Sequence, residues 1–119
     1  MTKMFLMAAA MLAAVTLSAK ELKVLMIGNS FSQSVLAYLP KIVKAEKEHK
    51  LEIAQMMIGG CTLNRHIAEL KKAEDDPNYK PYSTNWPKRR KVNLPEMIKA
   101  AKWDIVTIQQ GSHESWNKA

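Results

Sequence analysis

The chain is poor in cysteine and in long apolar runs, and no nucleic-acid-binding module or internal repeat is recognisable in it. Its one cysteine, Cys61, has no partner for an intrachain disulfide, so the cysteine content indicates no cellular compartment. A lone cysteine is more often a small buried apolar residue than a reactive thiol. We therefore interpret Cys61 as packing beside the glycines that precede it.

Length and composition limit the chain to one globular domain. Hydrophobic residues make up 47% of the 119 positions and charged residues 24%, a balance typical of a globular rather than a disordered chain. The formal net charge is +7, but the only dense basic run is at residues 88–91. We interpret that run as a solvated loop rather than a binding patch, and we expect no nucleic-acid partner.

The first 19 residues have the layout of a secretory signal peptide. Lys3 precedes an apolar run at residues 4–15, and a short stretch rich in small residues follows it. The run is too short to predict a membrane span, and the segment has no cysteine for lipid attachment. An uncleaved anchor is the alternative. We expect residues 20–119 to be the mature, secreted or periplasmic domain, with no stable membrane insertion after the signal is removed.

Residues 22–32, LKVLMIGNSFS, organise the predicted fold. An apolar run of strand length ends at Gly28 and a helical pattern follows, which predicts a strand buried on both faces of a parallel sheet. Open α/β sheets bind their ligands beyond the carboxyl ends of such strands. Ser30 lies just past this end, and it is therefore our candidate nucleophile.

The rest of the chain alternates between predicted helices and strands. We expect a helix at 32–49 that is interrupted at Pro40, a strand at 51–58, a helix capped by Thr62, a helix capped by Asn93 and a strand at 103–108. The alternation predicts an α/β fold with parallel strands and right-handed crossovers. A strand order of 2-1-3 places Ser30 opposite the Gln110 region.

Residues 75–92 contain three prolines and no periodicity, which predicts a long loop that forms a wall or lid of the site. Its aromatic residues Tyr79, Tyr82 and Trp86 have two interpretations. They offer flat apolar surfaces to a sugar or acyl group, or they pin the loop to the core.

Three short stretches, in order, resemble motifs of the SGNH/GDSL hydrolases: GNSFS, IGGCTL at residues 58–63, and WDIVTIQQGSHES at residues 103–115. Asn29 stands where that family usually has aspartate. The chain is most similar to a bacterial SGNH-like subgroup of uncharacterised function. The resemblance implies a three-layer flavodoxin-like parallel sheet. Because such folds typically need about 150 residues or more, we expect the sheet to be incomplete in this chain.

The resemblance also implies an oxyanion hole beside the catalytic serine. Its donors would be the backbone N–H groups of Ser30 and Gly60 and an amide side chain from the third stretch. Gln110 offers such an amide, whereas strict alignment places His113 at that position; we favour Gln110. His113 as the base that pairs with Ser30 is a separate alternative.

The Asp-x-x-His block that supplies the base in most SGNH enzymes has no match in the chain. The three histidines are His49, His66 and His113, and the residues three positions before them are Glu46, Leu63 and Gln110. Glu46 and His49 are more typical of a solvated pair than of a catalytic dyad. Cys61 and His66 are too few to close a zinc site, and we expect no metal or other cofactor.

These patterns predict an exported serine esterase or deacylase, acting on small-molecule or carbohydrate esters through an acyl-serine intermediate. The chain ends before the block that would carry the base, so we expect it to have little turnover by itself. Two alternatives stay open: a noncatalytic SGNH-like carbohydrate-binding module, and an inactive fragment.

Overall fold

The computed structural model describes residues 21–114, and these form an α/β fold with a five-stranded mixed sheet and three helices. The predicted signal peptide lies outside the described residues. In chain order the elements are β1 (Glu21–Gly28), α1 (Ser32–Glu46), β2 (Lys50–Met57), α2 (Leu63–Asp75), β3 (Tyr82–Thr84), β4 (Arg90–Val92), α3 (Leu94–Ala100) and β5 (Ile105–Ile108). No helix within residues 21–114 has the length and apolar content needed to cross a membrane.

The strand order is β4-β3-β2-β1-β5. Strand β1 pairs in parallel with β2, from Glu21 opposite Lys50 to Gly28 opposite Met57, and on its other side with β5. The parallel strands therefore have the 2-1-3 order, the one that places Ser30 opposite the Gln110 region. Strands β3 and β4 are antiparallel additions at the β2 edge, which the sequence analysis did not predict.

Alternate residues of β1 face opposite sides of the sheet, and each side is covered differently. Leu25 and Ile27 belong to the main core, which also includes Met56 of β2 and Met97 of α3. Val24, Met26 and neighbouring residues of α1 instead line an apolar groove of about 490 Å³ that reaches β5. Strand β5 is exposed along its whole length. The sheet is thus covered by α2 and α3 on one face and by α1 on the other.

Helix α1 is continuous, so the predicted break at Pro40 was wrong. Proline lacks an N–H and disfavours the helical conformation of the residue before it, but this helix runs through it from Ser32 to Glu46. The helix ends earlier than predicted, at Glu46, and the capping residue Lys47 has a left-handed φ of 66°. The predicted caps are confirmed: Thr62 Oγ1 accepts from Arg65 N at 3.2 Å, and Asn93 Oδ1 accepts from Glu96 N at 3.0 Å.

The 75–92 segment contains the β3–β4 hairpin, so the prediction of an irregular loop was wrong there. Its aromatic residues pack inward. Tyr82 is fully buried in the core, and Trp86 packs against that core and donates through Nε1 to Glu52 at 2.6 Å. The Tyr79 hydroxyl donates to the buried Glu69 carboxylate. The interpretation that these rings pin the segment to the core is the one that the structure supports.

Candidate functional site

The tips of the three parallel strands meet at one edge of the sheet. The backbone N–H of Ile58, just after β2, donates to the carbonyl of Gly28 at 3.2 Å. On the other side of β1, Gln109 N donates to Ile27 O at 3.0 Å. The loops that carry Ser30, Gly60 and Gln110 therefore begin side by side, at the edge where open α/β sheets bind ligands.

Ser30 is exposed in the tight turn between β1 and α1. Its carbonyl accepts from Gln33 N at 3.1 Å, so it lies directly at the amino end of the helix. The turn needs glycine at position 28, because a Cβ there would lie 2.2 Å from Ser32 Oγ. That hydroxyl donates to Gln109 Oε1 at 2.8 Å, which joins the start of α1 to the end of β5.

Asn29 links all three strand tips, and the sequence analysis assigned it no role in the site. Its side chain is 1% exposed. Nδ2 donates to the carbonyls of Cys61 and Gln110, each at 3.1 Å, and Oδ1 accepts from Phe31 N at 3.1 Å. The sequence signal for this residue was its place between Gly28 and the candidate nucleophile. Asn29 holds the turn of Ser30 against the loops on both sides.

The Gly59–Gly60 pair forms a tight turn after β2. Cys61 N donates to Ile58 O at 3.2 Å across the turn, and Gly60 has a left-handed φ of 64°. A positive φ at the third residue is the requirement of a type II turn, and glycine meets it at least cost. Within residues 21–114, the N–H groups of Ser30 and Gly60 make no hydrogen bond.

Gly60→Ala is expected to destabilise the protein by about 1–2 kcal/mol, because an alanine Cβ disfavours left-handed φ. Gly59→Ala is the matched control, since its φ is not in that region and a Cβ there meets no atom within 4 Å. Urea unfolding of the two variants measures the difference. If the two variants are equally stable, the left-handed φ at position 60 is not the reason why this position requires glycine.

Gln110 points its side-chain oxygen toward α2. Oε1 accepts from Leu63 N at 2.8 Å and from Gly111 N at 3.0 Å, so the orientation of the amide is fixed. Its amide nitrogen makes no hydrogen bond with any part of the chain that the structure describes. The exposed ring of His113 lies against Gly111, where a Cβ would be 3.1 Å from its Cε1.

The other two histidines lie in different surroundings. His66 is buried beneath the strand tips, where its Nδ1 lies 2.7 Å from the Tyr82 hydroxyl and 3.4 Å from Cys61 Sγ. Burial lowers the pKa of His66, and the nearby backbone of Gln109 opposes that shift in part. Burial also raises the pKa of the Cys61 thiol. Both effects favour the neutral forms, so we assign this pair to the core.

His49 and Glu46 form an exposed pair, with Nδ1 and Oε1 2.7 Å apart. Glu48 lies close enough to complete a group of three potential metal ligands. The group lies at the end of α1 just before β2 begins, which is the edge of the sheet opposite Ser30. Exposed groups of this kind are common without an ion, and we assign it no role.

The geometry defines an α/β domain with a serine-bearing turn at the tip of an inner parallel strand. The chain belongs to the family described as "Domain of unknown function (DUF4886)", whose model matches residues 23–118. It is similar to the crystal structure of a DUF4886 family protein from Bacteroides uniformis ATCC 8492 at 1.50 Å resolution, with 33% identity and a TM-score of 0.63. The match covers 80% of this chain and 38% of that chain. No curated protein matches the sequence.

Proposed function

We propose that this chain carries the nucleophile and oxyanion donors of an exported, SGNH-like serine esterase or deacylase that acts on carbohydrate esters. The observation that carries the proposal is the exposure of Ser30 at a strand tip whose position Asn29 fixes by hydrogen bonds to both neighbouring loops. An exposed hydroxyl on a turn that is bonded to neighbouring loops, whose N–H donors at Gly60 and Gln110 are unpaired within residues 21–114, suits acyl transfer.

In the proposed reaction, Ser30 Oγ attacks the ester carbonyl carbon while a base accepts the hydroxyl proton. The carbonyl oxygen becomes an oxyanion, which the N–H groups of Ser30 and Gly60 and the Gln110 amide stabilise. Collapse of the tetrahedral intermediate expels the alcohol, which takes up the proton, and leaves an acyl-serine. Water then attacks the acyl group in the same way, which releases the acid and restores the serine.

Helix α1 supports the same proposal electrostatically. The aligned backbone dipoles of the helix place partial positive charge at its amino end, and Ser30 lies two residues before Ser32, where the helix begins. Negative charge that develops at the substrate oxygen is favoured there. The base has no candidate in the SGNH pattern within this chain, so we propose that an Asp/His block outside it completes the site. Export to the periplasm or the exterior rests on the predicted signal peptide.

A noncatalytic carbohydrate-binding module is the second candidate, because the chain has no Asp-x-x-His block. The edge of the sheet that carries Ser30, Gly60 and Gln110 would then bind a sugar without turnover. The two candidates differ in whether the Ser30 hydroxyl is activated.

A fluorophosphonate probe distinguishes them, because it phosphonylates an activated serine hydroxyl with loss of fluoride. In a form of the protein long enough to include the Asp/His block, we expect the label on Ser30 by peptide mapping, and its absence after heat denaturation. Labelling of a different serine, or none, would refute the esterase and favour the binding module.

A further inference from the structure

A cleft of about 570 Å³, whose lining residues mostly have polar or charged side chains, lies between the start of α1 and the β3–β4 hairpin. Gln33 lines it from α1, Gln55 and Met57 from β2, and Ser83 from β3. Gln33 Nε2 lies 3.5 Å from Met57 Sδ, and its backbone N–H donates to Ser30 O. Gln33 therefore connects the cleft to the turn that carries Ser30.

The cleft is positively charged. Arg89 and Lys91 line it, and within the described residues its lining contains no carboxylate. Neither of these two side chains forms an ion pair in that part of the chain. Arg90 differs, because its guanidinium donates to Glu96 at 2.7 Å, a carboxylate that it shares with Lys80. Two cations without a counter-ion favour an anionic ligand.

The remaining lining groups are suited to hydroxyl-rich molecules. Amide side chains come from Gln33, Gln55 and Asn85, and a hydroxyl comes from Ser83. Gln55 Nε2 is buried and has no hydrogen-bond partner among the described residues. An unsatisfied buried donor is destabilising, so a ligand oxygen that accepts from it would recover part of that cost.

We propose that this cleft binds a carboxylate-bearing sugar unit of the substrate, next to the ester that Ser30 attacks. Arg89 pairs with the carboxylate, for which its planar guanidinium has matching geometry, and the amides bind sugar hydroxyls. The proposal rests on the proposed function, which it deepens by naming an acidic oligosaccharide ester as the substrate class. The basic run at residues 88–91 then contributes to a binding surface through Arg89 and Lys91.

Measuring ligand binding tests the cleft proposal, and the measurement does not require catalytic turnover. The Ser30→Ala chain is titrated by calorimetry with tetragalacturonate and, separately, with neutral maltotetraose of the same length. We expect the acidic ligand to bind at least tenfold more tightly. Arg89→Ala, added to Ser30→Ala, is expected to weaken tetragalacturonate binding at least fivefold, whereas Lys71→Ala is expected to leave it within twofold.

Lys71 is the matched control because it is an exposed cation on α2, which covers the other face of the sheet. Equal affinities for the two ligands, or equal losses in the Arg89→Ala and Lys71→Ala variants, would overturn the proposal. The two proposals fail separately. If the protein hydrolyses p-nitrophenyl acetate but binds the acidic and neutral oligosaccharides equally, only the cleft proposal is refuted. If it binds the acidic oligosaccharide more tightly but the fluorophosphonate probe does not label Ser30, only the esterase proposal is refuted.

Discussion

Ser30→Ala is expected to lower the rate of p-nitrophenyl acetate hydrolysis at least about a thousandfold, in a form of the protein that includes the Asp/His block. Removing the nucleophile removes the acyl-serine route, and only the acceleration that oxyanion donors and binding give to direct attack by water remains. Initial rates followed by p-nitrophenolate absorbance measure the loss. For the 119-residue chain itself we expect little or no turnover.

Ser34→Ala is the matched control, because Ser34 is an exposed serine of α1 one turn further along the helix. We expect it to keep the wild-type rate. Equal rates for the wild type and Ser30→Ala would reject Ser30 as the nucleophile. Any observed hydrolysis would then come from another group, and the crevice would be better explained as a binding site.

Local sequence patterns predicted the parallel strands well, because their signals are short in range. The apolar runs that became β1 and β2 are each ended by glycines, and both strands lie within one residue of their predicted bounds. The caps Thr62 and Asn93 were predictable for the same reason, since each bonds to a backbone N–H three residues ahead. Alternation with helices then predicted that these strands run parallel.

The hairpin was missed because its strands are three residues long and the strand that joins it to the sheet, β2, is distant in sequence. Strand β3 joins the sheet through Met56 and Met57 of β2, more than 25 positions away. Three residues are too few to show a period of two, and the surrounding prolines favoured a loop. At Pro40, tertiary packing prevailed over the local preference of proline to interrupt a helix.

The candidate site was predictable residue by residue but not as a network. Ser30, Gly60 and Gln110 each follow a strand, so their common edge followed from topology. The bonds that join these loops run from Asn29 to residues 32 and 81 positions away, and no local pattern encodes them. An asparagine beside a glycine is typical of a turn. The local pattern therefore gave no sign that Asn29 bonds to the loops on both sides of β1.

Asn29→Asp is expected to destabilise the protein by about 2–4 kcal/mol at pH 7. The amide nitrogen that donates to two carbonyl oxygens would be replaced by a carboxylate oxygen that repels them, in a site that is 1% exposed. Phe31 N and the amino end of α1 favour the new charge by about 0.3–1 kcal/mol, up to about 2 in buried geometries. The two lost donor bonds and the burial outweigh that gain.

The dependence of this loss on pH identifies its cause. Burial and the two carbonyls raise the pKa of the introduced carboxyl above its value in the unfolded chain, so the folded protein retains a proton that the unfolded chain loses as pH rises. Stability is thus lost as pH increases through the folded-state pKa. On acidification, the difference in unfolding free energy between the wild type and Asn29→Asp decreases. It approaches the cost of one missing hydrogen bond, since a protonated carboxyl can donate once.

Urea unfolding of the wild type, Asn29→Asp and Asn29→Ala at pH 7 and pH 4.5 measures these differences. The alanine variant loses the same donors but introduces no titratable group. Its loss of unfolding free energy relative to the wild type should therefore be the same at both pH values. If the loss of unfolding free energy in Asn29→Asp is also the same at both pH values, then position 29 does not face two carbonyls in the folded protein. Ser30 would then lack the side chain that holds its turn against the neighbouring strand tips, and the arrangement on which the esterase proposal depends would be lost.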